Sequence, residues 1–161
     1  LQAAGVDVIE VVLGHEAERI IPLVARDNVE PIVDGRWQAD AASGVRVGAT
    51  AAPRDTDAAI IVRADEPRPM GVYRRLLDEH LRSAAAITRA TFEGTPGAPI
   101  VVDRAVLAEL RNATDAAGGL DGILARHAST TLAVPFESGV VLMRIETEGE
   151  YEDVRKSAGF D

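Results

Sequence analysis

The stretch "AAIIVRADEPRP", residues 58–69, passes abruptly from apolar to charged. Ala58 to Val62 are apolar and mostly branched at Cβ; Arg63, Asp65 and Glu66 then turn the chain charged, and Pro67 and Pro69 close it. A short apolar run bounded in this way is a strand buried on both faces. We place it at 57–65, with a carboxylate held in a proline-braced loop at its end.

Working outward, strands and helices alternate. Upstream, "VDVIEVVLG" (6–14) is a strand. "HEAERIIPLVARD" (15–27) is an amphipathic helix, with Ala17, Ile20, Ile21 and Val24 on one face and Pro22 inside it. "NVEPIVD" (28–34) is a second strand, and 35–52 is a polar loop followed by a helix from Ser43, a fair N-cap. Downstream, 68–84 is a helix with Val72, Leu76, Leu77 and Leu81 as its buried stripe. Strands follow at 85–94 and 98–103, separated by the turn "GTPG". Helices at 104–113 and 118–128, strands at 130–136 and 139–145, and an acidic helix at 148–159 complete the chain. Thr147 and Glu150 form a candidate capping box before that last helix. The alternation means α/β with a mostly parallel sheet and right-handed crossovers. Such sheets hold ligands beyond the carboxyl ends of their strands, which makes the loop carrying Asp65 a privileged position.

Composition narrows the function classes. The 161 residues suit one domain with a sizeable core, and no repeat or linker divides them. Aromatics are only 4%, so stacking platforms for nucleic acid are poorly supplied. The 26 acids against 17 bases give a net charge of −9, which repels polyphosphate backbones and argues against a nucleic-acid partner. With no cysteine, disulfides, thiolate zinc sites and thiol nucleophiles are excluded. No apolar stretch approaches the ~20 residues that span a bilayer, and no signal-peptide pattern opens the chain, so the expected setting is cytoplasmic, without a membrane partner. "LQAAG" (1–5) reads as the last turn of a helix ended by glycine, which suggests that residues lie upstream of Leu1.

Four segments carry candidate chemistry. Asp65 at a strand end could hold a divalent cation through one oxygen or could simply cap the next helix. In "DAASGVRVG" (40–48), Ser43, Gly44 and Arg46 stand at a loop-to-helix junction, where free amides and a guanidinium attract anions; an ordinary N-cap is the favoured reading there. "FEGTPGAP" (92–99), with Gly97 and Pro99, is a sharp turn that could let a ligand approach the backbone. Glu146, after one expected strand and before a helix, could face Asp65 across the sheet end. His15 follows a strand and could line the site, whereas His80 and His127 are expected on helix surfaces. Neither a nucleophile elbow nor a complete Gly-rich phosphate loop is present.

The order of these segments resembles the molybdenum cofactor nucleotidyltransferases, most closely the cytidylyltransferase branch of the molybdopterin-guanine-dinucleotide-synthase-like family. "VDGRWQADAASGVRVG" is similar to that family's "NPxWxxGMxSSLRxG", with Trp37, Ser43 and Arg46 matching. "IIVRADEP" is similar to "hhhLADQP", "GTPGAPIVVDRAVLAEL" to "GxxGNPVLFxxxLxxEL", and "VLMRIETEGEYEDV" to "LLDIDTPEDYxxL". The resemblance implies a Rossmann-like three-layer α/β/α sandwich with a mixed sheet, of the nucleotide-diphospho-sugar-transferase type. It implies transfer of CMP or GMP from CTP or GTP to the phosphate of a molybdopterin-type cofactor, with Mg²⁺ and release of pyrophosphate. Asp65 then matches the catalytic metal and phosphate carboxylate, and Glu146 the second metal-site position. Ser43, Arg46, Gly97 and Pro99 fall in nucleotide- or substrate-binding segments, and a molybdoenzyme or its chaperone is an implied partner. The family's N-terminal strand, Gly-rich loop and first helix would lie upstream of Leu1, so residues 1–161 form a single domain lacking them. Glu66 stands where the family has Gln, Ala98 where it has Asn or His, and Arg144 where it has Asp. Two further readings stay open: a non-catalytic member that binds nucleotide or pterin, and a transferase for another small acceptor.

Overall fold

The computed structural model describes residues 1–157. Six strands and six α-helices follow in order: β1 (Ile9–Leu13), α1 (Ala17–Val24), β2 (Val29–Val33), α2 (Ser43–Ala51), β3 (Ala58–Ile61), α3 (Met70–Arg82), β4 (Ile87–Phe92), β5 (Thr95–Asp103), α4 (Arg104–Leu110), α5 (Gly119–Arg126), β6 (Thr131–Pro135) and α6 (Glu148–Ser157). Residues 158 and 159 of the expected last helix lie outside the described residues.

The main sheet has the order β3-β5-β4-β6, and β1 pairs with β2 in parallel as a separate ribbon. β5 runs antiparallel to both β3 and β4, and β4 is parallel to β6. β3, β4 and β6 therefore share one direction and only β5 opposes them, which makes the sheet mixed.

Alternation along β5 builds the layers. Ile100 and Val102 join Ile87, Val106, Leu107, Leu110 and Ile123 in a core under α2, α4 and α5. Val101, on the opposite face, joins Val72, Leu76, Ala90, Val134 and Val141 under α3. Side chains of a strand alternate faces, so an uninterrupted apolar run feeds both cores at once. The result is a three-layer α/β/α arrangement.

Several boundaries differ from the sequence reading. The turn between β4 and β5 is Glu93–Gly94, not "GTPG": Phe92 pairs with Thr95, and both loop residues have positive φ, 49° and 80°. Two positive-φ residues match the twist of a tight hairpin, so Thr95, Pro96 and Gly97 belong to β5. The strand expected at 139–145 is not one; Gly139–Leu142 is a single 3₁₀ turn opened by the Ser138 hydroxyl, which accepts from the Val140 N–H. An apolar run signals burial, not conformation, and Val141 is indeed fully buried without joining the sheet. Pro22 lies inside α1, which ends two residues later. The capping box forms as read: the Glu150 carboxylate accepts from the Thr147 N–H at 2.9 Å, and the Glu150 N–H donates to the Thr147 hydroxyl at 3.3 Å.

His80 is buried, not on the surface, and its Nδ1 lies 2.9 Å from the Thr88 hydroxyl of β4. Burial pushes its pKa down, with Asp103 opposing only in part. A histidine kept neutral in the fold favours unfolding once the unfolded chain can take the proton. Stability is thus complete above about pH 6.5 and falls below it by up to about 1.4 kcal/mol per pH unit. Denaturant melts between pH 7.5 and 5 should show this decline flattened in His80→Gln. An equally steep decline in that variant would place the acid sensitivity elsewhere.

Candidate functional site

The turn after β3 carries the densest set of charges. β3 stops at Ile61, and the Glu66 N–H closes a turn on the Arg63 carbonyl at 3.1 Å, so Asp65 sits in a loop and not on the strand itself. Arg63 grips the Asp65 carboxylate with two donors, Nε to Oδ1 at 3.0 Å and Nη2 to Oδ2 at 2.9 Å. Arg144 Nε donates to the same Oδ2 at 2.7 Å. The Ile145 N–H also donates to the Asp65 carbonyl at 2.8 Å, which ties the two segments by their backbones. The hydrogen bonds from Arg63, and then the one from Arg144, hold the Asp65 carboxyl far below the usual carboxylate range, against an opposing effect of burial. Glu146 comes near this cluster only through Arg144, whose Nη1 lies 3.5 Å from the Glu146 carboxylate. Glu66 lies 3.7 Å from Arg63.

Arg68, which the sequence reading passed over, joins this turn to the rest of the site. Its side chain is buried. Nε donates to the Ala98 carbonyl at 3.1 Å, Nη1 to the Pro67 carbonyl at 3.0 Å and Nη2 to the Val141 carbonyl at 3.2 Å. One guanidinium fork thereby fastens the Asp65 turn, the 97–99 segment and the 139–142 turn. Gly97 and Pro99 are both buried, and the Ala98–Pro99 peptide is cis. A Cβ on Gly97 would stand 2.4 Å from the Val141 carbonyl oxygen. Glycine is needed there for close packing against the 3₁₀ turn, and neither residue turns an open face outward.

Ser43 and Arg46 form a second cluster, and no hydrogen bond or ion pair joins it to the first among the described residues. The buried Ser43 hydroxyl donates to Asp34, at the carboxyl end of β2, and does not cap α2. Asp115 lies in a short turn before α5; its two oxygens accept from the Ala41 and Ala42 N–H groups at 2.9 and 2.8 Å. Arg46 pairs with Asp40 at 2.7 Å and donates to the Ala113 carbonyl at 2.6 Å. The anion-attracting amides before α2 and the nearby guanidinium are therefore engaged by the chain's own carboxylates. Next to them lies a hollow of about 340 Å³ lined by Gly14, His15, Asp34, Trp37, Asp40 and Ser43. His15 and Trp37 pack together at its wall, with ring centroids 5.4 Å apart and planes inclined at 56°. Asp115→Ala removes the acceptor of two N–H groups and should cost about 1–2 kcal/mol, read as a lower denaturation midpoint at pH 7. An unchanged midpoint would show that water replaces the carboxylate without loss.

Among the described residues, no group of three or more His, Cys, Asp or Glu side chains converges as a metal-binding set. No helix among them is long and apolar enough to cross a membrane.

Comparison with known proteins bears on this arrangement. No curated protein is a significant match to the chain. Among solved structures it is similar to Rv0371c from Mycobacterium tuberculosis H37Rv, with a TM-score of 0.76 and 20% identity over 96% of this chain and 78% of that one. The manganese complex of Rv0371c superposes with a TM-score of 0.73 at 20% identity, covering 96% and 81%. A nucleotidyl transferase from Methanothermobacter thermautotroptrophicus (Mth528) gives a TM-score of 0.76 at 18% identity, covering 97% and 75%. At these identities the likeness shows the fold alone, a Rossmann-like α/β sandwich. The sequence itself matches the MobA-like NTP transferase domain over residues 1–131, a span that includes Asp65, Arg68 and the α2 cluster and stops before Arg144. The chain belongs to the MobA-like NTP transferase domain family, a family of nucleotidyltransferases.

Proposed function

We propose that this protein transfers CMP or GMP from CTP or GTP to the terminal phosphate of a molybdopterin-type cofactor. The nucleotide enters as its Mg²⁺ complex. A phosphate oxygen of the acceptor attacks the α-phosphorus, the bond to the β-phosphate oxygen breaks, and pyrophosphate leaves. The attacking oxygen is already deprotonated near neutral pH, so positioning and charge neutralisation carry the reaction and no covalent enzyme intermediate is needed.

The observation that carries this reading is the Asp65 turn, at the carboxyl end of β3 and inside the family match, with Arg63 and Arg144 converging on one carboxylate. Arg68 holds the turn to the 97–99 and 139–142 segments. As these side chains stand, Asp65 and Glu146 do not fit a resident metal ion. Both Asp65 oxygens are engaged by guanidinium groups, and Arg144 lies between the two carboxylates. Asp65 thus acts as a positioning residue that sets the direction of two cations. The hollow at Trp37, His15 and Asp34 has room and an aromatic wall for a ring system.

The test is to incubate the full-length protein with Mg²⁺, each NTP and molybdopterin. Pyrophosphate is measured, and the dinucleotide product is identified by mass. Release that requires both CTP or GTP and the pterin supports the proposal. No release with any NTP would sink the transferase reading in favour of a protein that only binds nucleotide or pterin. Release with a different phosphorylated acceptor would replace the pterin.

A further inference from the structure

We infer that the Asp65 site recognises polyphosphate directly through Arg63 and Arg144, and that these two guanidinium groups stand in the place of a resident divalent cation. The inference rests on the reading of this site as the phosphate end of a nucleotide site.

A divalent ion needs open carboxylate oxygens, approached to about 2.0–2.1 Å for Mg²⁺, in a region of negative charge. Here three N–H donors reach the Asp65 carboxylate at 2.7–3.0 Å. Glu146, the other carboxylate that could complete such a site, faces Arg144 at 3.5 Å. The surrounding charges also balance. Arg63, Arg68 and Arg144 carry three positive charges against three negative charges on Asp65, Glu66 and Glu146. A free divalent cation gains little from a neutral cluster whose central carboxylate already has donors on both oxygens.

A polyphosphate finds the opposite situation. The side chains of Arg63 and Arg144 are 58% and 48% exposed, so each has N–H groups facing solvent beyond those given to Asp65. Ion pairs this exposed contribute little to stability, so a phosphate can draw the guanidinium groups forward at low cost. Planar guanidinium forks match phosphate oxygens two at a time. Arg68 adds a buried positive charge behind them, held by carbonyls and by no carboxylate. A divalent ion would then belong to the nucleotide substrate and not to the protein.

Two measurements on the full-length protein test this, neither of which needs turnover. In the first, Mn²⁺ is titrated without nucleotide and free ion is followed by electron paramagnetic resonance. The wild type should leave Mn²⁺ free, and the double variant Arg63→Gln/Arg144→Asp, which strips the guanidinium donors from Asp65 and adds a carboxylate, should bind it. Wild-type binding of Mn²⁺ that disappears in Asp65→Asn would overturn the inference. In the second, inorganic tripolyphosphate is titrated calorimetrically in the presence of EDTA. It should bind the wild type and bind Arg144→Gln at least about tenfold more weakly. Binding that requires Mn²⁺, or that is the same in Arg144→Gln, would equally overturn it. The two readings fail separately. Tripolyphosphate bound in EDTA with no transfer to any acceptor removes the transferase but leaves the arginine site. Transfer accompanied by Mn²⁺ bound at Asp65 without nucleotide keeps the transferase and removes the inference.

Discussion

Asp65→Ala should lower kcat/KM for pyrophosphate release by about a hundredfold or more, with most of the loss in kcat. The reason is geometric. Arg63 and Arg144 both end on the Asp65 carboxylate, and among the described residues the other charged contact of Arg63 is the longer one to Glu66 at 3.7 Å. Without the carboxylate both guanidinium groups swing into solvent, and a misplacement of about 1 Å at a reacting centre costs about a hundredfold. The backbone bond from the Ile145 N–H to the Asp65 carbonyl is untouched by the substitution, so the turn should keep its path. The melting temperature should accordingly shift little, because the three lost hydrogen bonds are partly exposed. Asp65→Glu should recover part of kcat by offering the same charge on a longer arm. A variant with unchanged kcat, or one whose loss is matched by a large drop in melting temperature, would remove Asp65 from the positioning role.

Leu76→Ala should destabilise the fold by about 2–5 kcal/mol, which for a domain of this size lowers the melting temperature by about 5–15 °C. Leu76 has no exposed surface. It sits at the centre of the core formed by Val72, Ala90, Val101, Val134 and Val141. That core holds α3 on the sheet and seats the 139–142 turn, which in turn receives Arg68. The cavity left by truncation cannot collapse easily, because strands β4 and β5 form a rigid floor. A melting temperature within about 2 °C of the parent would show that α3 repacks and that the layer is looser than its burial implies.

The strands and helices that make the layers were legible in the chain. "AAIIV" and "APIVV" are runs apolar at every position, and such runs suit strands covered on both faces, as β3 and β5 are. The amphipathic spacing of residues 68–84 marked α3, with Val72 and Leu76 inward, although Leu81 is 66% exposed and His80 takes the buried place beside it. A histidine can satisfy its ring nitrogen on Thr88, a contact that no helical period encodes. The apolar run at 139–145 was misread for a related reason: burial was right and pairing was not.

The candidate site was legible in its position and not in its charge balance. Asp65 stands at the loop following β3, where the sheet argument placed it. Arg68 and Arg63 were visible as residues, but their partners are Ala98, Val141 and the Asp65 carboxylate itself. For Ser43 and Arg46, the loop-to-helix junction was correct, yet Asp34, Asp40 and Asp115 supply the anions there.

The α/β layering, the segment that carries the candidate chemistry and the family membership can all be read from the order of residues. These depend on local periodicity and on the order of short motifs, both of which are written along the chain. What Asp65 faces is set by the folded arrangement. Arg144 lies 79 residues away and Val141 lies 73 residues from Arg68, so folding alone brings a second guanidinium onto Asp65 and a carbonyl onto Arg68. The sign and strength of an electrostatic site depend on which charges meet within a few ångströms, and that is a property of space and not of sequence order.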